Sequence, residues 1–427
     1  MRNKSLLLVV AFLFRLGFGL SASLQDPDAT QIYLLGLKFY TTHAWPYFGP
    51  DVIWGEVQIP GALQGILVGL PLFLLPIPEA PYLLLNVLSF AMLCLFAWYC
   101  CRRLPELPGW LIWTWLLTCP WTMNLSTHVY NPSYLLVAGI AFFVGAIEIY
   151  PATTAGLIDK RVSNLMMGFA IGWAMQLHLS WTILVPYALL ALCFQIKEGV
   201  ATLTRRVAFF SLGMAVPLSL WLPTVLKYGL GAGGTRSAIL FNRQNLVALP
   251  GIFRRTLSLA SFDITNFIGG HTADRIAFLK AQPWMVPIVI FLLAISVAQA
   301  VALVIAWFKN TNTERSWRGI KYLAVVNVLM IYFLFLFSVK PPQSNHVYLT
   351  FPIPMLYSLY CWQWLLNSPR RLRLAKIALV CGILFHAGLA FQNVGKGSVI
   401  SLHRQIQQAI DNRDYTILGE RRPNTLY

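Results

Sequence analysis

The sequence predicts an all-α, polytopic transmembrane protein. Three observations carry this. The 427 residues are 57% hydrophobic and only 11% charged, against roughly 25% charged in an ordinary soluble domain, and the mean hydropathy is +0.64. Several apolar segments approach the about 20 residues that a bilayer crossing needs. Between them, Lys and Arg gather in short stretches, as they do on the cytoplasmic side of membrane proteins. A water-soluble fold has no surface on which to lay so much Leu, Phe and Trp. The net charge of +17 does not point to nucleic acid, because the basic residues are scattered between apolar segments and line no single face. The seven Cys lie mostly inside those segments or at their ends with no CxxC pair, so they read as small packing residues rather than a disulfide or zinc framework.

Taken in order, the first span covers about residues 5–21. Arg2 and Lys4 before an apolar run, with Ser21-Ala22-Ser23 after it, also fit a cleavable signal peptide. Arg15 interrupts that run and many spans follow, so an uncleaved helix is preferred. Residues 22–80 form the first outer loop. Its apolar stretch 61–77 is short and broken by Gly61, Gly65, Gly69, Pro71, Pro76 and Pro78, which predicts a re-entrant or interface-lying helix. Further spans fall near 81–100, 108–124, 132–150, 164–180, 181–197, 207–227, 285–307, 320–338, 346–366 and 374–391. With the N-terminus inside, the inner loops receive Arg102 and Arg103, Lys160 and Arg161, Lys197 with Arg205 and Arg206, Lys309 through Lys321, and Arg370 through Lys376. That bias predicts about eleven crossings with the C-terminus outside. Residues 228–284 are a large outer loop, and 392–427 a short outer tail with an amphipathic helix near Val399 to Ile410. Residues 1–391 therefore form one transmembrane domain.

The residues able to do chemistry lie in the outer segments. Only 15 Asp and Glu occur in the chain, and Asp26, Asp28, Asp51 and Glu56 share the first loop with Tyr33, His43, Trp45, Tyr47 and Trp54. A carboxylate beside an acceptor hydroxyl or amine takes its proton, or holds a metal that does. Asp28 falls on the first turn of a helix opened by Asp26 and Pro27, where either acid also serves as a cap. Asp51 and Glu56 flank the Trp54-Gly55 turn as a second pair, or as ordinary loop acids. Arg236, Arg243, Arg254 and Arg255 lie within about twenty residues of the large loop, and guanidinium groups grip phosphate bidentately. Anionic lipid headgroups are the other ligand for such a set. Arg15, inside a span, costs roughly 2.5–3.5 kcal/mol to insert and so needs a partner, a cavity or the interface. His178 sits at a tight outer turn, and Lys340, Asn345, His346 and Tyr348 precede a span opening Phe-Pro-Ile-Pro.

In this order, the features resemble the GT-C superfamily of integral-membrane glycosyltransferases, notably its dolichyl-phosphate-mannose protein mannosyltransferase and aminoarabinose transferase-like branch. The matching elements are the helix with Arg15, Asp28 through Tyr33, Gly49-Pro50, Pro60-Gly61 and Arg102-Arg103. Pro120 with Asn131-Pro132-Ser133, Gly172 through Ser180, Pro217 to Pro223, and His346-Val-Tyr-Leu-Thr-Phe-Pro continue the likeness over most of residues 1–390. The resemblance implies a polyprenyl-phosphate sugar donor, inverting transfer at the outer face, and Asp28 as the catalytic carboxylate. The acceptor is expected to be a lipid, glycan or protein, and Tyr33, Asp51, Glu56, the four Arg, His346 and Tyr348, read from their chemistry and their place in the outer segments, are the expected substrate-binding residues. Two departures stand out. Ala29 follows Asp28 where many members carry an acidic pair, and Asn131 stands where many carry an acid. No cofactor is demanded, and a divalent metal is compatible with the loop acids. A lipid-linked saccharide flippase and a polysaccharide polymerase or ligase are the rival readings, the early Asp28 favouring the transferase. A bacterial inner membrane is the expected location, the endoplasmic reticulum the alternative.

Overall fold

The computed structural model describes residues 2–22, 24, 26–52, 57–309 and 314–419. It is 74% helical, an integral membrane protein of the all-α class. The chain opens with α1 (Arg2–Ser21), α2 (Pro27–Thr42), a hairpin of β1 (Phe48–Val52) and β2 (Val57–Pro60), α3 (Leu63–Leu74) and α4 (Ala80–Arg103). Next come α5 (Gly109–Thr118), α6 (Pro120–Leu125), α7 (Leu135–Ile149), α8 (Lys160–Ala174), α9 (Leu184–Ile196), α10 (Val200–Leu218) and α11 (Leu222–Tyr228). After them lie α12 (Leu249–Leu259), α13 (Thr272–Ala281), α14 (Val286–Lys309) and α15 (Arg315–Phe335). The last four are α16 (Ser344–Val347), α17 (Pro352–Leu365), α18 (Pro369–Asn393) and α19 (His403–Asp411). A helix or broken helix pair stands at each apolar segment expected from the sequence. Five of the described helices are long and apolar enough to cross a membrane unaided, six if α10 and α11, bent by 68°, form one span.

At the centre is α7, all 15 of whose residues are buried. A helix apolar all round has no solvent face and settles inside a bundle; α4, α8, α9 and α17 surround this one. Close crossing needs small residues. A Cβ on Gly168 would sit 1.9 Å from the Phe210 carbonyl oxygen, and one on Gly213 would sit 2.1 Å from that of Leu165, so these two glycines set how tightly α8 and α10 meet.

Breaks in the helices follow proline chemistry. Pro120 has no N–H to donate, and the chain turns extended at Cys119, φ −64° and ψ 148°. The break frees carbonyls at the end of α5. Arg15, wholly buried on α1, uses one of them: its guanidinium donates to the Leu117 carbonyl at 2.7 Å, and also to the Thr122 carbonyl of α6 at 3.1 Å. The partner that a charge inside a span requires is thus a broken helix. At the other end of the bundle, Arg103 meets Glu148 at 3.3 Å with neither side chain exposed.

The first loop departs from the expected string of helices. Asp26 caps α2, accepting from the Asp28 N–H at 2.8 Å, and Pro27 takes the first helical position. His43 closes the helix in the left-handed region at φ 56°. An antiparallel hairpin then intervenes, with Asp51 opposite Gln58. The following α3 has 12 residues, about 18 Å at helical rise, which is short of the about 30 Å hydrocarbon core. Far along the chain, the tail returns to this loop: His403 lies 2.7 Å from Glu79, and Gln407 donates to the Pro76 carbonyl at 3.1 Å.

Candidate active site

Four segments converge at the Asp28 end of the bundle: the start of α2, the turn 126–133, the His178 turn, and α16 with the residues after it. The turn is clamped from beneath. Asn86 and Ser89 of α4 donate to the Thr127 and Ser126 carbonyls at 2.7 and 2.8 Å. The Ser126 and Tyr348 hydroxyls lie 2.6 Å apart, joining this turn to the stretch after α16. His346 then faces His178 with ring centroids 5.6 Å apart, and stacks on Phe335 at 5.7 Å.

Charge is sorted by sign across this surface. On one side Asp26 and Asp28, both exposed, stand near His128 and Tyr130, whose rings are 5.6 Å apart. Burial pushes the Tyr130 hydroxyl up from its ordinary value, and the two carboxylates add to that. Burial lowers His128 to about 4, with Asp26 opposing. On the other side, burial lowers His346 to about 4, with Lys340 and Arg255 pressing the same way. His178 falls to about 3 through burial and then His346, its Nδ1 lying 2.8 Å from the Ser180 hydroxyl. Both imidazoles are neutral at pH 7, so the positive charge here is carried by Lys340, Arg254 and Arg255. Arg255 is itself lowered, by burial first and Arg254 second.

The residues singled out from sequence separate into three groups. Asp28, Arg254, Arg255 and His346 are exposed or half-buried around this surface. Arg236 and Arg243 are exposed on the 3-10 turns Ala232–Ala238 and Arg243–Val247. The first turn leans on the hairpin, Gly233 against the Gln58 carbonyl. The second is stapled to the end of α15 through Asn242 and Asn245. Three others face inward. The Tyr33 hydroxyl donates to the Pro78 carbonyl at 2.9 Å, and Tyr348 is buried on Ser126. Asp51, 8% exposed, accepts from Gln58 at 2.6 Å across the hairpin. In this conformation these are packing positions. Glu56 and Trp54 lie outside the described residues.

His128 and Tyr130 went unremarked in the sequence. A His-x-Tyr ahead of Asn-Pro in a short turn was the available signal, and it is a thin one. Among the described residues no three His, Cys, Asp or Glu gather to hold a metal ion. Asp26 spends one oxygen on its cap. What the arrangement supplies is an exposed carboxylate facing a turn with a phenol and a neutral imidazole, and a cationic patch across the same surface.

No family model matches the chain, and no curated protein matches it in sequence. Among solved structures, the crystal structure of ArnT from Cupriavidus metallidurans bound to undecaprenyl phosphate is similar, with a TM-score of 0.53 over 97% of this chain and 75% of that one, at 11% identity. At that identity the likeness concerns the fold alone. The fold of this chain is GT-C-like.

Proposed function

We propose that this chain is a membrane glycosyltransferase that moves one sugar from a polyprenyl phosphate to a lipid, glycan or protein acceptor, at the periplasmic face of a bacterial inner membrane. The observation that carries this is the placement of Asp28 and the arginine-bearing loop at one end of a GT-C-like bundle. The first-loop hairpin and the 3-10 turn bearing Arg236 touch directly. ArnT, the structural neighbour, was crystallised with undecaprenyl phosphate, which supports the donor class.

In this reading the chain crosses eleven times, with its N-terminus cytoplasmic, α3 re-entrant or lying at the interface, and the tail outside. The shortness of α3 and the 83% exposure of Leu74 at its end support its lying in lipid without crossing. The docking of the tail on Glu79 and Pro76 supports an even number of crossings between the first loop and the tail.

Asp28 takes the proton of the acceptor hydroxyl or amine as that atom attacks the anomeric carbon. The bond to the phosphate oxygen breaks on the opposite face, giving inversion. The leaving lipid phosphate keeps the electron pair, and its charge is met by Arg255 and Arg254, with Arg243 and Arg236 further along the loop. The test is mass spectrometry of lipid-linked sugars and envelope glycans in cells with and without the protein. Accumulated donor on the outer leaflet without the protein is the expected result. Donor trapped on the cytoplasmic leaflet would replace the transferase with a flippase.

A further inference from the structure

We infer that the stretch from Ile239 to Val247 is a lipid-contacting surface, immersed in the headgroup and upper acyl region of the leaflet at the Asp28 end of the bundle. The inference needs only that α15 crosses the membrane, and it is independent of the transferase reading. Large apolar side chains stand bare along this stretch. Val247 is 82% exposed, Ile239 67% and Leu240 62%, and Phe241 and Leu246 are half exposed. None of them lies on a helix long enough to cross a bilayer.

Their depth follows from what holds the stretch in place. The Leu240 and Asn242 N–H groups donate to the Phe337 and Leu336 carbonyls at 3.1 and 2.8 Å. Asn245, buried, donates to the Phe335, Ser338 and Lys340 carbonyls, and the Tyr332 hydroxyl donates to the Leu246 carbonyl at 3.0 Å. Residues 239–247 therefore run beside the last two turns of this span, about 10 Å of its length. The 21 residues of α15 extend about 31 Å at helical rise, close to the about 30 Å of the hydrocarbon core. With α15 across the bilayer, its last two turns lie in the outer part of one leaflet, and side chains beside them that point away from the protein meet lipid. Phe337, itself exposed and with its ring centroid 5.8 Å from that of Phe241, makes the surface continuous with the span.

Two further properties fit a lipid surface. Irregular backbone is tolerated at membrane depth only where its polar groups are met within the protein. The bonds above do that, joined by the Val339 N–H on the Ala238 carbonyl at 3.3 Å and the Ala248 N–H on the Asn245 carbonyl at 3.1 Å. Charge is complementary as well. No acidic residue occurs between Glu198 and Asp263, while Arg236 and Arg243 flank Ile239, Leu240 and Phe241. Arginines at such a boundary lay their stems on apolar groups and extend their heads to the interface, where anionic headgroups attract them. The tail is the contrast. Docked on the first loop, α19 has Ile406 and Ile410 buried and Arg404, Gln408 and Asp411 exposed, the surface of a helix in water.

The test is electron paramagnetic resonance on the full chain in vesicles of phosphatidylethanolamine and phosphatidylglycerol, with a nitroxide on Leu240→Cys or Val247→Cys. The exposed Cys193 is replaced by Ser, and the Cys193→Ser chain alone gives the blank. Val297→Cys, on the 65% exposed Val297 of α14, is the lipid reference, and Gln408→Cys on α19 is the water reference. Oxygen concentrates in lipid and a nickel chelate in water. The ratio of oxygen to nickel collisions at the Leu240 and Val247 positions should exceed that at Gln408 severalfold and approach that at Val297. Both side chains are exposed, so the thermal midpoints should stay level with the wild type; if one variant does not fold, the other carries the same reading. A ratio equal to that at Gln408 places the stretch in water and overturns the inference. Exclusion of both reagents, with spin–spin broadening between labels, means that a second copy covers the surface and overturns it equally.

Discussion

At the Arg103 end of the bundle, one guanidinium and one carboxylate meet inside protein, and both oxygens of the carboxylate are satisfied. Glu148 accepts from Arg103 at 3.3 Å and from the Tyr99 hydroxyl at 2.7 Å, and takes the Leu157 N–H on its other oxygen at 3.2 Å. Arg103 also reaches the Thr153 carbonyl at 2.6 Å and the Tyr360 hydroxyl at 3.2 Å. At the Asp28 end, carboxylates stand on one side, cations on the other, and three imidazoles are held neutral between or beside them. Opposite charges that are brought together hold helices. Charges of one sign gathered at a surface leave a field that a substrate can fill. The contrast separates a joint from a site without reference to any relative.

The sharpest way to break this contrast is at Asp28. Asp28→Asn keeps the shape and the first-turn position while removing the base. It should lower the turnover of sugar transfer by about 10²–10⁴-fold, with thermal stability unchanged. Sugar incorporation at the wild-type rate would return Asp28 to the role of helix terminus that Asp26 already fills.

Glu148→Gln tests the other end. An uncompensated charge inside the protein costs about 3–5 kcal/mol when its partner is removed. The variant should therefore show a markedly lower thermal midpoint and yield. Transfer measured per folded molecule should stay near wild type. A stable variant with lost transfer would mean the joint belongs to the site.

Much of this contrast was legible in the chain and some was not. Helix positions followed from apolar length, while Asp28 and the four arginines are nominated by the sequence and by their place at the surface of the bundle. Glu148 was hidden, because a single acid near the end of span 132–150 gives no hint of the Arg103 it meets 45 residues away in sequence. The partner of Arg15 was hidden as well. Pro120 announces a broken helix, but not that a carbonyl it frees points at α1. Tyr33 and Tyr348, expected to bind substrate, are interior residues in this structure, since aromatic residues near a membrane interface serve packing and recognition equally well. The hairpin between α2 and α3 was missed because Pro50, Gly55 and Pro60 read as breakers and its strands are only 5 and 4 residues long.

The arginines allow a finer comparison within the site. Arg254 is exposed and Arg255 is half-buried over Gly251 and near His346. Hydrogen bonds to charged groups are worth about 1.5–3 kcal/mol, and less where water competes. Arg255→Ala should weaken undecaprenyl phosphate binding by about tenfold or more by that measure, and Arg254→Ala should weaken it by a smaller factor. Unchanged affinity in both variants would remove the loop from donor binding and assign it to bulk lipid headgroups.

The smallest expected effect concerns the imidazoles beside these cations. His346 is held down to about 4 and His178 to about 3, against an ordinary value near 6.5. An unfolded chain takes up protons at both positions as pH falls through about 6.5, whereas the folded protein does not until the depressed values are reached. Below about 6.5 the unfolded state therefore binds more protons, and stability falls with pH until about 4 for His346 and about 3 for His178. Above that window their contribution is fully present. The groups facing His346 are Lys340, Arg255 and His178, all basic, so acidification adds charge to a patch that is already positive. The thermal midpoint should decline between neutral pH and about 4, and His346→Gln, which cannot be protonated, should make that decline shallower. An equally steep decline in the variant would place the acid sensitivity among the carboxylates across the surface, and so on the other half of the divided field.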